Sequence, residues 1–171
     1  LRGVQNAYYN VIFGNSNWLR LRGGNFSSSA LWDQSRFTTI NFLIADENIL
    51  SHGRIPSHQI VVNSIADADL ESRSLAAAAR YLADHPGIPV INDPGQVLNS
   101  TRDNNYERLK DTAGVRFPKT LRLDWQPERP FVVGDILRRE ALDLPVILRR
   151  TGTHTAVSTV KADSLVEVET Y

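Results

Sequence analysis

Near its C-terminal end the chain carries a run of cationic and small polar residues: Arg149, Arg150, Thr151, Gly152, Thr153, His154 and Thr155. Guanidinium forks, hydroxyls and the backbone N–H groups of a glycine-containing turn are donors suited to a polyphosphate. The preceding stretch, Pro145 to Arg150, reads as an apolar strand ending in cations. Residues 156–161 alternate like its return strand, so a hairpin is predicted with the 151–155 turn at its tip. The same residues would also make an ordinary surface hairpin, since many such turns contain one glycine.

Other chemistry-bearing residues are less organised. Asp46, Asp67 and Asp69 follow predicted strand ends, where open parallel sheets bind ligands. Turn and cap chemistry also accounts for them, and Asp69 is the expected helix cap. The four histidines, His52, His58, His85 and His154, are scattered without helical ligand spacing, so no metal site is predicted from them. Arg138 and Arg139 beside Glu140 read as a solvated helix face. The serines Ser27 to Ser29 lack the strand-to-helix elbow of a nucleophile. Trp18, Trp32 and Trp125 read as packing residues rather than base-stacking platforms.

Composition narrows the classes. With 171 residues, 42% hydrophobic and 22% charged, the chain is globular and long enough for one good-sized domain or a small domain and part of another. Basic and acidic residues number 19 each, so the formal net charge is zero and no nucleic-acid partner is expected. No apolar run approaches the roughly 20 residues that cross a bilayer, and no apolar leader follows Leu1. The expected setting is therefore cytoplasmic, with no membrane partner. The absence of cysteine excludes disulfides, thiolate metal sites and cysteine nucleophiles. Methionine is absent too, and the chain opens on Leu1, so it is expected to be a piece of a longer protein or to lack some of its residues.

Several elements are predicted to position these groups. Residues 38–45, 59–65 and 88–92 are apolar or β-branched runs bounded by turn residues, which suits buried strands. Between the last two, Leu75, Ala78, Ala79 and Leu82 form one helical stripe, which Pro86-Gly87 stops. Strand, helix, strand at this spacing predicts a parallel βαβ unit. Asp93-Pro94-Gly95 reads as a boundary. Beyond it a helix is expected from Ser100 or Thr101 to about Thr112, with Gly114 past its end, then an extended segment 115–123, a helix over 133–142, the hairpin, and a last element after Ser164. The first 36 residues carry little pattern; Asn6 to Phe13 fits a strand or a short helix, and Arg22 to Ser29 reads as a loop.

Taken in order, the segments 87–94, 100–105, 114–120 and 145–155 resemble the ATP-grasp superfamily, which includes glutathione synthetase and D-alanine–D-alanine ligase. The chain looks nearest to ATP-grasp-like regions of bacterial tetratricopeptide-repeat proteins, over roughly residues 38–165. The resemblance implies an α/β fold in two parts: a Rossmann-like pre-ATP-grasp domain over 1–94, and the first ATP-grasp subdomain, partial, over 95–171. It implies ATP and Mg2+ as cofactors, and ATP-dependent ligation of a small carboxylate to an amine through an acyl phosphate. Arg149 stands where the family carries a lysine, and Arg102 would substitute for a second lysine near Asn104 and Asn105. Arg102, Arg149, Gly152, Thr153, His154 and Thr155 would bind nucleotide, while Asn63 and Asp67 would face substrate. The family's magnesium ligands lie on a later subdomain, so none is expected here, and ATP binding by this chain alone should be weak. The alternative is a non-catalytic ATP-grasp relic serving as a binding module. The catalytic residues, the substrate and the oligomeric state are left open.

Overall fold

Val61 and Val62 form a strand, β5, whose partner is β6, Val90–Ile91. The two are parallel, with Val61 opposite Val90 and Val62 opposite Ile91. Val61 N–H donates to the Pro89 carbonyl at 2.9 Å and Asn63 N–H to the Ile91 carbonyl at 3.0 Å. A parallel pair needs a long crossover, and the crossover here is helix α1, Ser72–Ala83. The computed structural model describes residues 2–3, 7–11, 19–23, 33, 35–38, 40, 42–44, 57–124, 132–153 and 158–171. Among these the chain is mixed α/β, with helices and small two-stranded sheets. It divides into two compact units, Leu1–Thr101 and Arg102–Tyr171.

In the first unit, α1 buries two sides. Ala77 and Ala78 pack on Ile44, with Phe42 beside them. Leu75 packs with Ile65 and Val97, with Ala68 and Leu98 at the edge. The two alanines let the backbone of α1 come close to Ile44, while Leu75 fills the neighbouring cluster. Leu75 and Ile44 are fully buried, and burial of each contributes about 1.5–3 kcal/mol. The buried face therefore includes Ser74 and Ala77 as well as the expected stripe, of which Ala79 and Leu82 are only half-buried.

The start of α1 differs from expectation by two residues. Asp69, the expected cap, donates its own N–H to Asp67 Oδ1 at 2.9 Å, and Leu70 N–H does the same at 2.9 Å. Asp67 thus closes the turn that leads into α1, and its carbonyl accepts from Glu71 N–H. Glu71 occupies the N-cap position without a side-chain bond to the helix backbone. Its carboxylate instead accepts from the buried Ser74 hydroxyl at 2.9 Å.

Among the described residues of the run 38–45, Leu43–Ile44 form strand β4, which pairs in parallel with β1, Arg2–Gly3. It is not in the β5–β6 ladder. Strand β2, Ala7–Val11, pairs antiparallel with β3, Leu19–Gly23, in the register Ala7 to Gly23 and Val11 to Leu19. This resolves the strand-or-helix alternative for that segment, and Arg22 and Gly23 belong to a strand rather than a loop.

The Asp93-Pro94-Gly95 segment, expected as the boundary between 1–94 and 95–171, is a helix start. Asp93 Oδ1 accepts from Gln96 N–H at 2.9 Å, and Pro94 opens helix α2, Pro94–Leu98. Pro tolerates the first helical position because no intrahelical N–H is needed there. Val97 then packs α2 onto Leu75 of α1, which keeps α2 in the first unit. The division falls after Thr101 instead.

The second unit opens with α3, Arg102–Leu109, shorter than expected and with no fully buried residue. Gly114 lies beyond it, in a later turn closed by Val115 N–H on the Thr112 carbonyl, with φ of +77°. Residues 115–124, expected to be extended, belong to no helix and no strand ladder. Arg122 ties this segment to α3 through both carboxylate oxygens of Asp103, at 3.2 and 3.1 Å. Helix α4 is Val133–Arg139. Strands β7, Val146–Arg149, and β8, Thr159–Ala162, form the expected antiparallel hairpin. Helix α5, Leu165–Thr170, is capped by Ser164, whose Oγ accepts from Glu167 N–H at 3.3 Å. Glu167 reaches back to Asp163 N–H at 2.7 Å, one residue before the N-cap that a capping box would use. Val133, Ala162 and Val168 form the core of this unit, joined by Leu137, Val146 and Leu148.

Candidate functional site

The hairpin sorts its side chains by alternation. Val146, Leu148 and Ala162 face the unit's core. Period-two geometry puts Ile147 and Arg149 on the other face, with their cross-strand partners Lys161 and Thr159. Ile147 is 64% exposed, which marks that face as the outer one.

Beyond β7 the chain turns at Gly152, whose φ of +69° lies in the left-handed region that glycine occupies at little cost. Thr153 Oγ1 donates to the Arg150 carbonyl at 2.7 Å and fixes the turn. The Thr153 carbonyl then becomes a point of convergence. Arg149 Nη2 donates to it, and so does Arg102 Nη2, at 3.4 Å, from the start of α3. Two cations predicted as phosphate ligands, far apart in sequence, thus meet at one backbone oxygen.

That meeting is electrostatically incomplete. Two guanidinium groups sharing one acceptor stand within about 6 Å of each other, where their repulsion is about 1–3 kcal/mol between bulk-water and surface dielectrics. A carbonyl is neutral overall and offsets only part of this. Among the described residues no carboxylate forms an ion pair with Arg102 or Arg149; the described pairs involve Arg122, Arg138, Arg139 and the lysines. Arg149 Nε and Thr159 Oγ1 are moreover buried with no hydrogen-bond partner among the described residues. Buried polar atoms are ordinarily paired, so this face offers unmet donors beside unneutralised positive charge. An anion with several acceptor oxygens answers both.

The remaining predicted residues fall elsewhere. His154 and Thr155 lie outside the described residues, as do Asp46, His52, Trp18, Trp32, Trp125 and Ser27 to Ser29. Asn63 and Asp67, expected on the substrate side, are in the first unit and buried. Asn63 Oδ1 accepts from Ile65 N–H at 2.9 Å, its Nδ2 donates to the Ile65 carbonyl at 3.2 Å, and its own carbonyl accepts from Asn92 Nδ2 at 3.0 Å. These bonds hold the chain where it leaves β5, and Asp67 holds the turn before α1. Asn104 and Asn105 lie on α3.

Two arrangements were not foreseen from the sequence. Thr159 faces Arg149 only because of the strand register. Two of the scattered histidines also meet on one tyrosine: His85 stacks on Tyr81 with ring centroids 4.2 Å apart, and His58 lies at 6.1 Å with its Nε2 3.4 Å from the Tyr81 hydroxyl. Burial raises the Tyr81 phenol above its ordinary pKa. The Tyr81–His85 half was legible, since residues four apart near a helix end adjoin. The His58 half was not.

No family model, curated protein or solved structure matches the chain. Among the described residues no helix is long and apolar enough to cross a membrane, and no three His, Asp or Glu side chains cluster to hold a metal ion.

Proposed function

We propose that the second unit holds the phosphates of a nucleoside triphosphate, in an ATP-grasp-like module that serves ATP-dependent carboxylate–amine ligation. The observation that carries this is the convergence of Arg102 and Arg149 on the Thr153 carbonyl. Arginine forks bind phosphate oxygens in pairs, with more directional geometry than lysine. The left-handed Gly152 turn and the hairpin that carries it suit the same role. The parallel β5–α1–β6 unit is consistent with a Rossmann-like first part. The substrate side at Asn63 and Asp67, and the identity of the substrate as a small carboxylate, are carried by the resemblance alone. Among the described residues no three His, Asp or Glu side chains cluster, and no step is routed through a metal here. A ligase that consumes ATP works where ATP is made, which gives the cytoplasm as its setting.

The test is titration of the full chain with ATP, followed by amide chemical shifts. The expected dissociation constant is on the order of 1 mM, equivalent to about 4 kcal/mol, with binding abolished in Arg149→Ala and weakened in Arg102→Ala. Binding that survives Arg149→Ala unchanged, or shifts confined to the first unit, would sink the reading. A second reading, a non-catalytic binding module, is favoured by Arg149 bracing its own turn through Thr153. ATP binding with no carboxylate-dependent release of ADP would select it.

A further inference from the structure

We propose that the outer face of the β7–β8 hairpin seats a phosphoryl oxyanion between Thr159 Oγ1 and Arg149 Nε, making Thr159 a ligand-binding residue. The ATP reading is needed only to say which molecule carries that oxyanion.

The register brings the pair together. Arg149 lies opposite Thr159, and one step further Arg150 N–H donates to the Ser158 carbonyl at 3.4 Å. Hydrogen-bonded and non-hydrogen-bonded pairs alternate along an antiparallel ladder. Arg149 and Thr159 are therefore the non-hydrogen-bonded pair, in which facing side chains stand closest. Both carry a polar atom that lacks a hydrogen-bond partner among the described residues and is covered in the ligand-free chain, so a ligand reaches it as the two side chains shift.

Chemistry then selects the occupant. Arg149 Nε can only donate, and Thr159 Oγ1 can donate or accept. A group with two acceptor oxygens can take one hydrogen bond from each. Arg102 and Arg149, meeting at Thr153, require that group to be negative. A tetrahedral phosphoryl group has the acceptors, the charge and the geometry to reach Nε from one side and the hydroxyl from the other. Arg149 would then act as a two-sided clamp, with Nη2 fixing the turn through Thr153 and Nε holding the ligand.

The experiment follows the Arg149 side-chain Nε–H resonance during titration of the full chain with ATP and, separately, with inorganic tripolyphosphate. Both probes are expected to shift it. Thr159→Val, which keeps the β-branched shape, should weaken binding of either probe about tenfold, and Thr159→Ser should restore it. If ATP binds but Nε–H is unmoved and Thr159→Val binds as well as the parent chain, the Thr159 seat is overturned and the nucleotide reading survives. If tripolyphosphate binding shows the Thr159 dependence while ATP does not bind, the seat stands and the nucleotide reading fails. If neither probe shifts any resonance of the hairpin, both are overturned.

Discussion

The two units treat their buried polar groups in opposite ways. In the first, Asn63, Asp67, Glu71 and Ser74 are all deeply buried, and each has hydrogen bonds to nearby backbone or side-chain groups. In the second, the buried atoms of Arg149 and Thr159 have none among the described residues. Burying a polar group without a partner costs free energy that a paired group recovers. Among the described residues, the buried polar groups of the first unit are satisfied and two facing ones in the second are not, which makes the hairpin face the candidate site. The bonds of Asn63 and Asp67 give both a structural part in the first unit, beside the substrate-facing one that the resemblance implies. The hairpin face is where a ligand would complete the bonding.

Paired substitutions sharpen the contrast. Asn63→Ala should destabilise the chain by about 1–3 kcal/mol, because it strands the Ile65 N–H and carbonyl in a buried position. Thr159→Val should leave stability unchanged or raise it slightly, since it removes a hydroxyl that bonds to nothing described. Urea denaturation of both variants reads the difference. Equal losses would erase the distinction between the units. A smaller effect is expected at the Arg122–Asp103 fork, which holds the 115–124 segment on α3 in a partly exposed setting. Arg122→Ala should lower stability by about 0.5–1 kcal/mol, a value typical of exposed but well-aligned pairs. A loss as large as that of Asn63→Ala would mean that the second unit also depends on buried polar pairing.

The smallest effect is pH-dependent. The Arg139 guanidinium, and then Lys119, hold the Glu140 carboxyl below its usual value of 4.5. A depressed folded-state pKa gives stability that is present above the unfolded value and lost as pH falls through the folded one. The second unit should therefore lose a little stability on acidification below about pH 4.5, and Glu140→Gln should remove that part of the acid sensitivity. Thermal melts of both proteins between neutral and acid pH would show it. Identical acid profiles would mean that the contacts of Glu140 with Arg139 and Lys119 add nothing to the fold.

The elements with strong periodicity were legible: α1, the parallel β5–β6 pair around it, and the β7–β8 hairpin follow from apolar spacing. The strands came out shorter because only a few residues of each run find a ladder partner. Two errors share a cause. Asp67 and Asp69 have the same chemistry two residues apart, and only backbone geometry decides which one closes the turn. Asp93-Pro94-Gly95 uses residues common to linkers and to helix starts, and the packing of Val97 on Leu75 settles it as a helix. At the site, Arg149 was named from the cationic strand end and Arg102 from the resemblance, but their meeting at Thr153 was not foreseen. Thr159 was invisible because β8 begins later than the alternation suggested, and a shift of one residue would have turned it to the opposite face.

Connectivity gives the units different routes to the folded state. The β7–β8 ladder joins residues as near in sequence as Arg149 and Thr159, whereas β1–β4 must bring Arg2 to Leu43. Closing the longer loop costs roughly 1 kcal/mol more chain entropy, and nothing local rewards it until α1 has packed against Ile44. Local pairing is the faster kind. A chain emerging from synthesis would carry the slow, long-range closure in its first half and the quick hairpin in its second. Misfolding pressure therefore bears on the first unit, while the β7–β8 hairpin can form and reform cheaply.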